Sequence, residues 1–147
     1  MDAVSPKEAK SRNMRAVRGK DTKPELEVRR AAHGLGLRFR LFRRDLPGRP
    51  DLTFPKRRTV IFVNGCFWHQ HHDCRKSAIP KSNVEFWATK LEKNVLRDQR
   101  NFEELQRQGW RVVVVWECDL ARFGAAKIVR DVFKIAPASR AKPAKPR

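Results

Sequence analysis

The sequence predicts an α/β domain built around a mixed central sheet flanked by helices. Three observations carry that reading. The run Thr59–Val63 (TVIFV) and the stretch WRVVVVWEC at 110–118 are nearly unbroken apolar segments, the mark of strands covered on both faces. Between them lies SNVEFWATKLEKNVLRDQRNFEELQRQG, whose apolar residues recur at helical spacing. Ahead of both stand a helical segment and two shorter strand-like pieces joined by a turn.

Each element has its own signal. In DTKPELEVRRAAHGLG, Thr22 and Glu25 have capping-box spacing and Pro24 sits in the first turn. Leu26, Ala32 and Leu35 are the expected inward face of that helix, and Gly34 and Gly36 end it. LRFRLF, at 37–42, alternates apolar residues with Arg, as a half-buried strand does. DLPGRPD is a turn, and a strand follows at Leu52–Phe54. Ser82 and Glu85 have capping-box spacing for the long helix, and Gly109 closes it. Its apolar stripe takes in Trp87, Leu91, Phe102 and Leu105, and the same period carries Asn94 and Asp98 inward. Two polar groups on an inward face require partners. Residues 121–135 are expected to form one further helix. The domain therefore spans 21–135, between a basic N-terminal arm at 1–20 and a basic, proline-rich tail at 136–147 expected to be disordered.

Composition narrows the function. Among 147 residues, 34 Lys and Arg face 16 Asp and Glu, a formal charge of +18. A surface of that sign attracts polyanions, and nucleic acid is the usual partner. The apolar runs Val60–Val63 and Val112–Trp116 are far too short to span a bilayer, so no membrane role is expected. MDAVSPKEAK has no apolar leader core, and three cysteines cannot complete a disulfide framework. Reduced thiols in a cytoplasmic, nucleoid-associated protein are the expectation, with a monomer as the default state.

The chemistry concentrates in NGCFWHQHHDC, at 64–74. Cys66, one of His71 or His72, and Cys74 offer three N or S ligands within one loop. Cys118 could supply a fourth, giving a Cys₃His set suited to closed, structural Zn²⁺. The plainer alternative is three buried free cysteines. Asp51, at the start of a strand, is placed as metal-dependent nucleases place a carboxylate that holds Mg²⁺ against a phosphate. The alternative for a Pro-Asp step is a turn. His69 is a candidate base, because imidazoles exchange protons near neutral pH, and Asp98 is the candidate carboxylate to orient it. Glu25 reads first as a capping residue.

GRPD, FVNGCFWHQH, EFWATKLEKNVLRDQR, GWRVVVVWEC and the N-terminal SRNMRAV together resemble the very short patch repair (Vsr) endonucleases, in order over roughly residues 8–120. The resemblance implies a restriction-endonuclease-like fold with structural zinc. It also implies a Mg²⁺-dependent nick in one strand of double-stranded DNA, 5′ to the T of a T:G mismatch left by deaminated 5-methylcytosine. Asp51 then resembles the metal-binding aspartate, with the main-chain carbonyl of Val63 as a second ligand. His69 resembles the general base, Asp98 its partner, and Glu25 an acidic residue near the site. Phe67, Trp68 and Trp87 resemble an aromatic wedge beside the mismatch, and Met14 a residue inserted from the arm. Trp87 would serve as well as a core aromatic of the helix stripe.

Two positions depart from the family pattern. Asn64 stands where a second catalytic histidine is usual, which leaves it an orienting or hydrogen-bonding role. The loop between the first two cysteines is one residue longer. Counting back from Cys74 selects His72 as the zinc ligand, which keeps the H-x-C step and is the preferred choice; counting forward from Cys66 selects His71. Two other functions fit the same residues: a restriction-type nuclease of this fold acting on paired DNA, and a non-catalytic, zinc-stabilised nucleic-acid-binding module.

Overall fold

The computed structural model describes residues 21–137; the arm at 1–20, Met14 included, and the tail from 138 lie outside the described residues. The order is α1 (Lys23–Gly34), β1 (Arg40–Leu41), β2 (Leu52–Phe54), β3 (Thr59–Asn64), α2 (Val84–Arg107), β4 (Arg111–Trp116), α3 (Glu117–Phe123) and α4 (Ala125–Phe133). The strands form one four-stranded sheet in the order β1-β2-β3-β4. β1–β2 and β2–β3 are antiparallel, whereas β3–β4 is parallel, in register from Thr59↔Arg111 to Asn64↔Trp116. The sheet is therefore mixed, as the sequence predicts. A parallel pair cannot be closed by a hairpin, so the chain between β3 and β4 must cross over, and α2 lies in that crossover.

The period-two alternation of β3 divides the core between the two faces of the sheet. Ile61 joins Val28, Ala32, Leu52, Phe54, Leu120 and Val129 in the larger cluster, under α1, α3 and α4. Val60 and Phe62 join Leu46, Leu105 and Trp110 in the smaller one, under α2. Asn64 and Asp51 fall on the α2 side by the same alternation.

Several local expectations are corrected. LRFRLF forms only the two-residue strand Arg40–Leu41, with both residues exposed. Phe42 then takes φ 48°, which turns the chain out of the extended region. On α1, Val28 and Ala32 are buried and Leu35 packs beside them, while Leu26 is only half-buried. α2 starts from Asn83 in the left-handed region without a side-chain cap, so the Ser82–Glu85 box does not form. β4 ends at Trp116, and Cys118 lies in the first turn of α3. Gly124, at φ 82°, splits the expected single helix into α3 and α4. No helix among the described residues is long and apolar enough to cross a membrane.

Candidate active site

A cleft of about 1030 Å³ opens at the C-terminal end of β3, between α1 and α2. Its lining includes Glu25, Asp51, Val63, Asn64, His69 and Asp98. These six, singled out in the sequence from five separate segments, are brought to one place by the fold.

Asp51 sits where the β2–β3 ladder stops, one residue before the Leu52↔Ile61 pair. There its Oδ2 accepts the Val63 N–H at 2.6 Å, replacing the next rung of the ladder. Burial pushes its carboxyl up to about 7; the Val63 amide and Arg29 pull it down, and the neighbouring Glu25 pushes it further up. Glu25 is itself buried and raised by that burial, although it accepts the Asp21 N–H at 2.8 Å and faces Arg29 at 3.4 Å. Thr22 caps α1 by accepting the Glu25 N–H at 3.4 Å. The Glu25 carboxylate returns to Asp21 rather than to the cap residue, so its side chain points to the cleft wall.

Two carboxyls in one desolvated cleft disfavour ionisation unless a cation joins them. Oxygen donors of that kind suit a hard divalent ion. Val63 adds to the set. An extended residue presents its N–H and C=O to the same edge, so the Val63 carbonyl faces the Asp51 side together with its N–H.

The same cleft is lined by His69, whose Nδ1–H donates to Asp98 Oδ2 at 2.5 Å. Asp98 comes from α2, and its inward turn answers the demand made by the helix stripe. One turn earlier on that face, buried Asn94 donates from Nδ2 to the Trp68 carbonyl at 3.2 Å. Residues 68 and 69 are thus tied to one helix. With Nδ1 engaged, Nε2 is the nitrogen left for proton transfer.

Behind the cleft, Cys66, His71, Cys74 and Cys118 bring one ligand atom each to within 4.8 Å of one another. His71 Nδ1 lies 3.3 Å from Cys118 Sγ and 3.6 Å from Cys66 Sγ. A tetrahedral ion with bonds of about 2.3 Å to sulfur holds its ligands in this range of separations. Burial pushes the Cys66 thiol up to about 12. The Cys74 thiol is lowered: desolvation acts against that, but the Lys76 and Ser77 amides and the two neighbouring thiols more than offset it. His72 is corrected as a ligand. Its side chain is 93% exposed and faces Asp73 at 3.1 Å. The chain steps through the left-handed region on both sides of this pair, at Gln70 (φ 50°) and Asp73 (φ 55°), and His71 is the one that turns to the thiols.

Phe67, Trp68 and Trp87 pack ring on ring, with centroids 5.0, 5.6 and 5.9 Å apart. Trp68 is buried, and Phe67 and Trp87 are half-buried. Two residues escaped the sequence reading. Trp116 stacks on the His71 ring at 4.1 Å with an 11° tilt. Glu117 accepts the Cys66 N–H at 3.2 Å and lines the cleft. Their only signal was position, since both precede Cys118 in WEC.

The mixed sheet, the acid-lined cleft with its imidazole–carboxylate pair and the strongly basic chain define the class, an α/β nuclease. A family profile described as DNA mismatch endonuclease Vsr matches residues 1–76. The chain is 52% identical over 124 residues to the type II nicking enzyme V.XorIIP of Xanthomonas oryzae pv. oryzae, covering 84% of this chain and 90% of that one. It is 47% identical over 120 residues to the DNA mismatch endonuclease Vsr of Escherichia coli, covering 82% and 76%. It is 45% identical over 107 residues to the type II nicking enzyme V.NmeAIP of Neisseria meningitidis serogroup A, covering 73% and 76%. The chain belongs to the Vsr family of DNA mismatch endonucleases.

Proposed function

We propose that this protein is a Mg²⁺-dependent DNA mismatch endonuclease that nicks one strand 5′ to the T of a T:G mismatch, on a restriction-endonuclease-like fold stiffened by structural zinc. The observation that carries the reading is the His69–Asp98 pair lining the same cleft as Asp51.

Asp51 and the Val63 carbonyl would hold Mg²⁺, and Glu25, which lines the same cleft, would add negative charge beside it. When bound, the ion supplies charge neutralisation at the scissile phosphate. The chain's own groups do the rest. Asp98 fixes the His69 ring and leaves Nε2 to accept a proton from water. The resulting hydroxide attacks phosphorus, the bond to the leaving oxygen breaks, and that oxygen takes a proton from solvent water while His69 later returns its own proton to solvent. Asn64 carries no exchangeable proton of suitable pKa, so it orients rather than transfers. Arg49 and Arg97, in the cleft wall, are suited to phosphate oxygens. Cys66, His71, Cys74 and Cys118 would hold zinc with every position filled by protein, a structural rather than catalytic arrangement.

Phe67, Trp68 and Trp87 are the proposed wedge, and Met14 is the residue proposed to insert from the N-terminal arm. Opening a base step costs a few kcal/mol, least at a mismatch, and each stacked ring returns roughly 1–3 kcal/mol. The protein is expected to act as a monomer in the cytoplasm, at the nucleoid.

The test uses end-labelled duplexes identical except for one T:G or C:G pair, with Mg²⁺, and compares the wild type with Asp51→Ala. A single nick 5′ to the mismatched T, absent from the C:G duplex and lost in the variant, is expected. Cutting of both duplexes would replace this reading with a restriction-type nuclease. Tight, salt-sensitive binding without cutting would replace it with a binding module.

A further inference from the structure

β3 leaves the sheet at Asn64, whose partner Trp116 is the last rung of the parallel ladder. Beyond that rung the Cys66 amide has no strand to bond to, and the Glu117 carboxylate serves as its acceptor at 3.2 Å. Asp51 does the same on the opposite flank for Val63. The exit of β3 is thus gripped by one carboxylate from each neighbouring strand end, and both line the cleft. On either side of Glu117 in sequence, Trp116 stacks on His71 and Cys118 approaches the same ring at 3.3 Å. Three consecutive residues therefore bind one loop, two at the thiol–imidazole cluster and one at the turn between cluster and cleft.

From this we infer that Glu117 is a positioning residue: its carboxylate holds the Asn64–Cys66 turn and so fixes the cleft end of β3 against the thiol–imidazole cluster. The role requires a hydrogen-bond acceptor and not a charge, because the group it holds is a neutral amide. The inference rests on the nicking activity proposed above for its kinetic arm only.

The experiment compares Glu117→Ala and Glu117→Gln with the wild type in three measurements: bound zinc, exchange of the Cys66 amide hydrogen, and nicking of the T:G duplex. The alanine variant is expected to keep its zinc and its KM. Its Cys66 amide should exchange about tenfold faster, the effect of losing one hydrogen bond. Its kcat should fall by about tenfold to a hundredfold, the usual consequence of a small displacement in a site. The glutamine variant, whose amide oxygen still accepts from Cys66, should recover both to within about threefold. Alanine behaving as wild type in exchange and kcat would overturn the inference, and so would glutamine as impaired as alanine, which would make the charge itself essential. If the wild type does not nick the T:G duplex, the activity assignment fails while the exchange arm still decides the role of Glu117. Should the alanine variant not fold, an unprotected Cys66 amide in the wild type or in Glu117→Gln would overturn the inference.

Discussion

Asp98 Oδ2 meets His69 Nδ1 at 2.5 Å, although the two residues are 29 apart in the chain. One lies on the inward face of α2 and the other on the loop that leaves β3. The contact fixes which ring nitrogen remains free in the cleft. Asp98→Asn keeps the volume but can present its amide to Nδ1 and favour the wrong tautomer. Single-turnover nicking should fall by about a hundredfold or more, with duplex affinity unchanged, because general-base catalysis contributes on that scale. A loss of affinity with an unchanged single-turnover rate would place Asp98 in binding instead.

Asp51 makes stability depend on pH. Its carboxyl stands near 3.8 when unperturbed and at about 7 in the fold, raised by burial. Between these values the native state holds more protons than the unfolded chain, so metal-free stability falls as pH rises toward 7 and levels off above it. The span corresponds to a few kcal/mol. Asp51→Asn, which stays neutral and can still accept from Val63, should flatten the profile and be the more stable protein at pH 8. Added Mg²⁺ should restore stability to the wild type above pH 7 and not to the variant. Thermal melts across pH, with and without Mg²⁺, read both effects.

His71 and His72 separate cleanly. His71→Ala removes a member of the thiol–imidazole cluster and the ring stacked on Trp116. Bound zinc should drop and the melting temperature should fall. His72→Ala removes an exposed ring and should change neither. Equal zinc loss in both variants would count against the assignment of His71.

The aromatic cluster should divide by burial. Trp68→Ala empties a buried position and should cost about 3–5 kcal/mol in stability. Phe67→Ala, at a half-buried ring, should cost less stability but weaken binding to the T:G duplex. Affinity that falls in proportion to stability in both variants would make the cluster core and not wedge.

Salt reports the phosphates. With a formal charge of +18, duplex affinity should fall on a log–log plot with a slope of about −0.9 for each phosphate contacted. A flat response would argue against a nucleic-acid ligand.

Much of this site was legible because its residues sit where simple periodicities place them. The unbroken run of β3 announced a strand covered on both faces, and the helical stripe through Leu91 carried Asn94 and Asp98 inward to partners on one loop. What periodicity does not encode was missed. Asn83 starts α2 from a left-handed turn that no capping pattern marks. Counting residues could not decide which histidine turns inward, because left-handed steps at Gln70 and Asp73 set the path of the loop and no spacing pattern marks them. Glu117 and Trp116 act on a loop about 50 residues away, through contacts that exist only once β3 and β4 lie side by side.

The parallel pairing of β3 with β4 also has a consequence for synthesis. Asp51, His69 and Asp98 all leave the ribosome before the strand at 111–116 does. Until it emerges, β3 is an unsupported edge, and neither Glu117 nor Cys118 is available to its loop. An unfinished chain that ends just short of that strand therefore carries every residue of the proposed reaction without the scaffold that aligns them. The strongly cationic polypeptide can meet nucleic acid while it is being translated, but its cutting edge is assembled last.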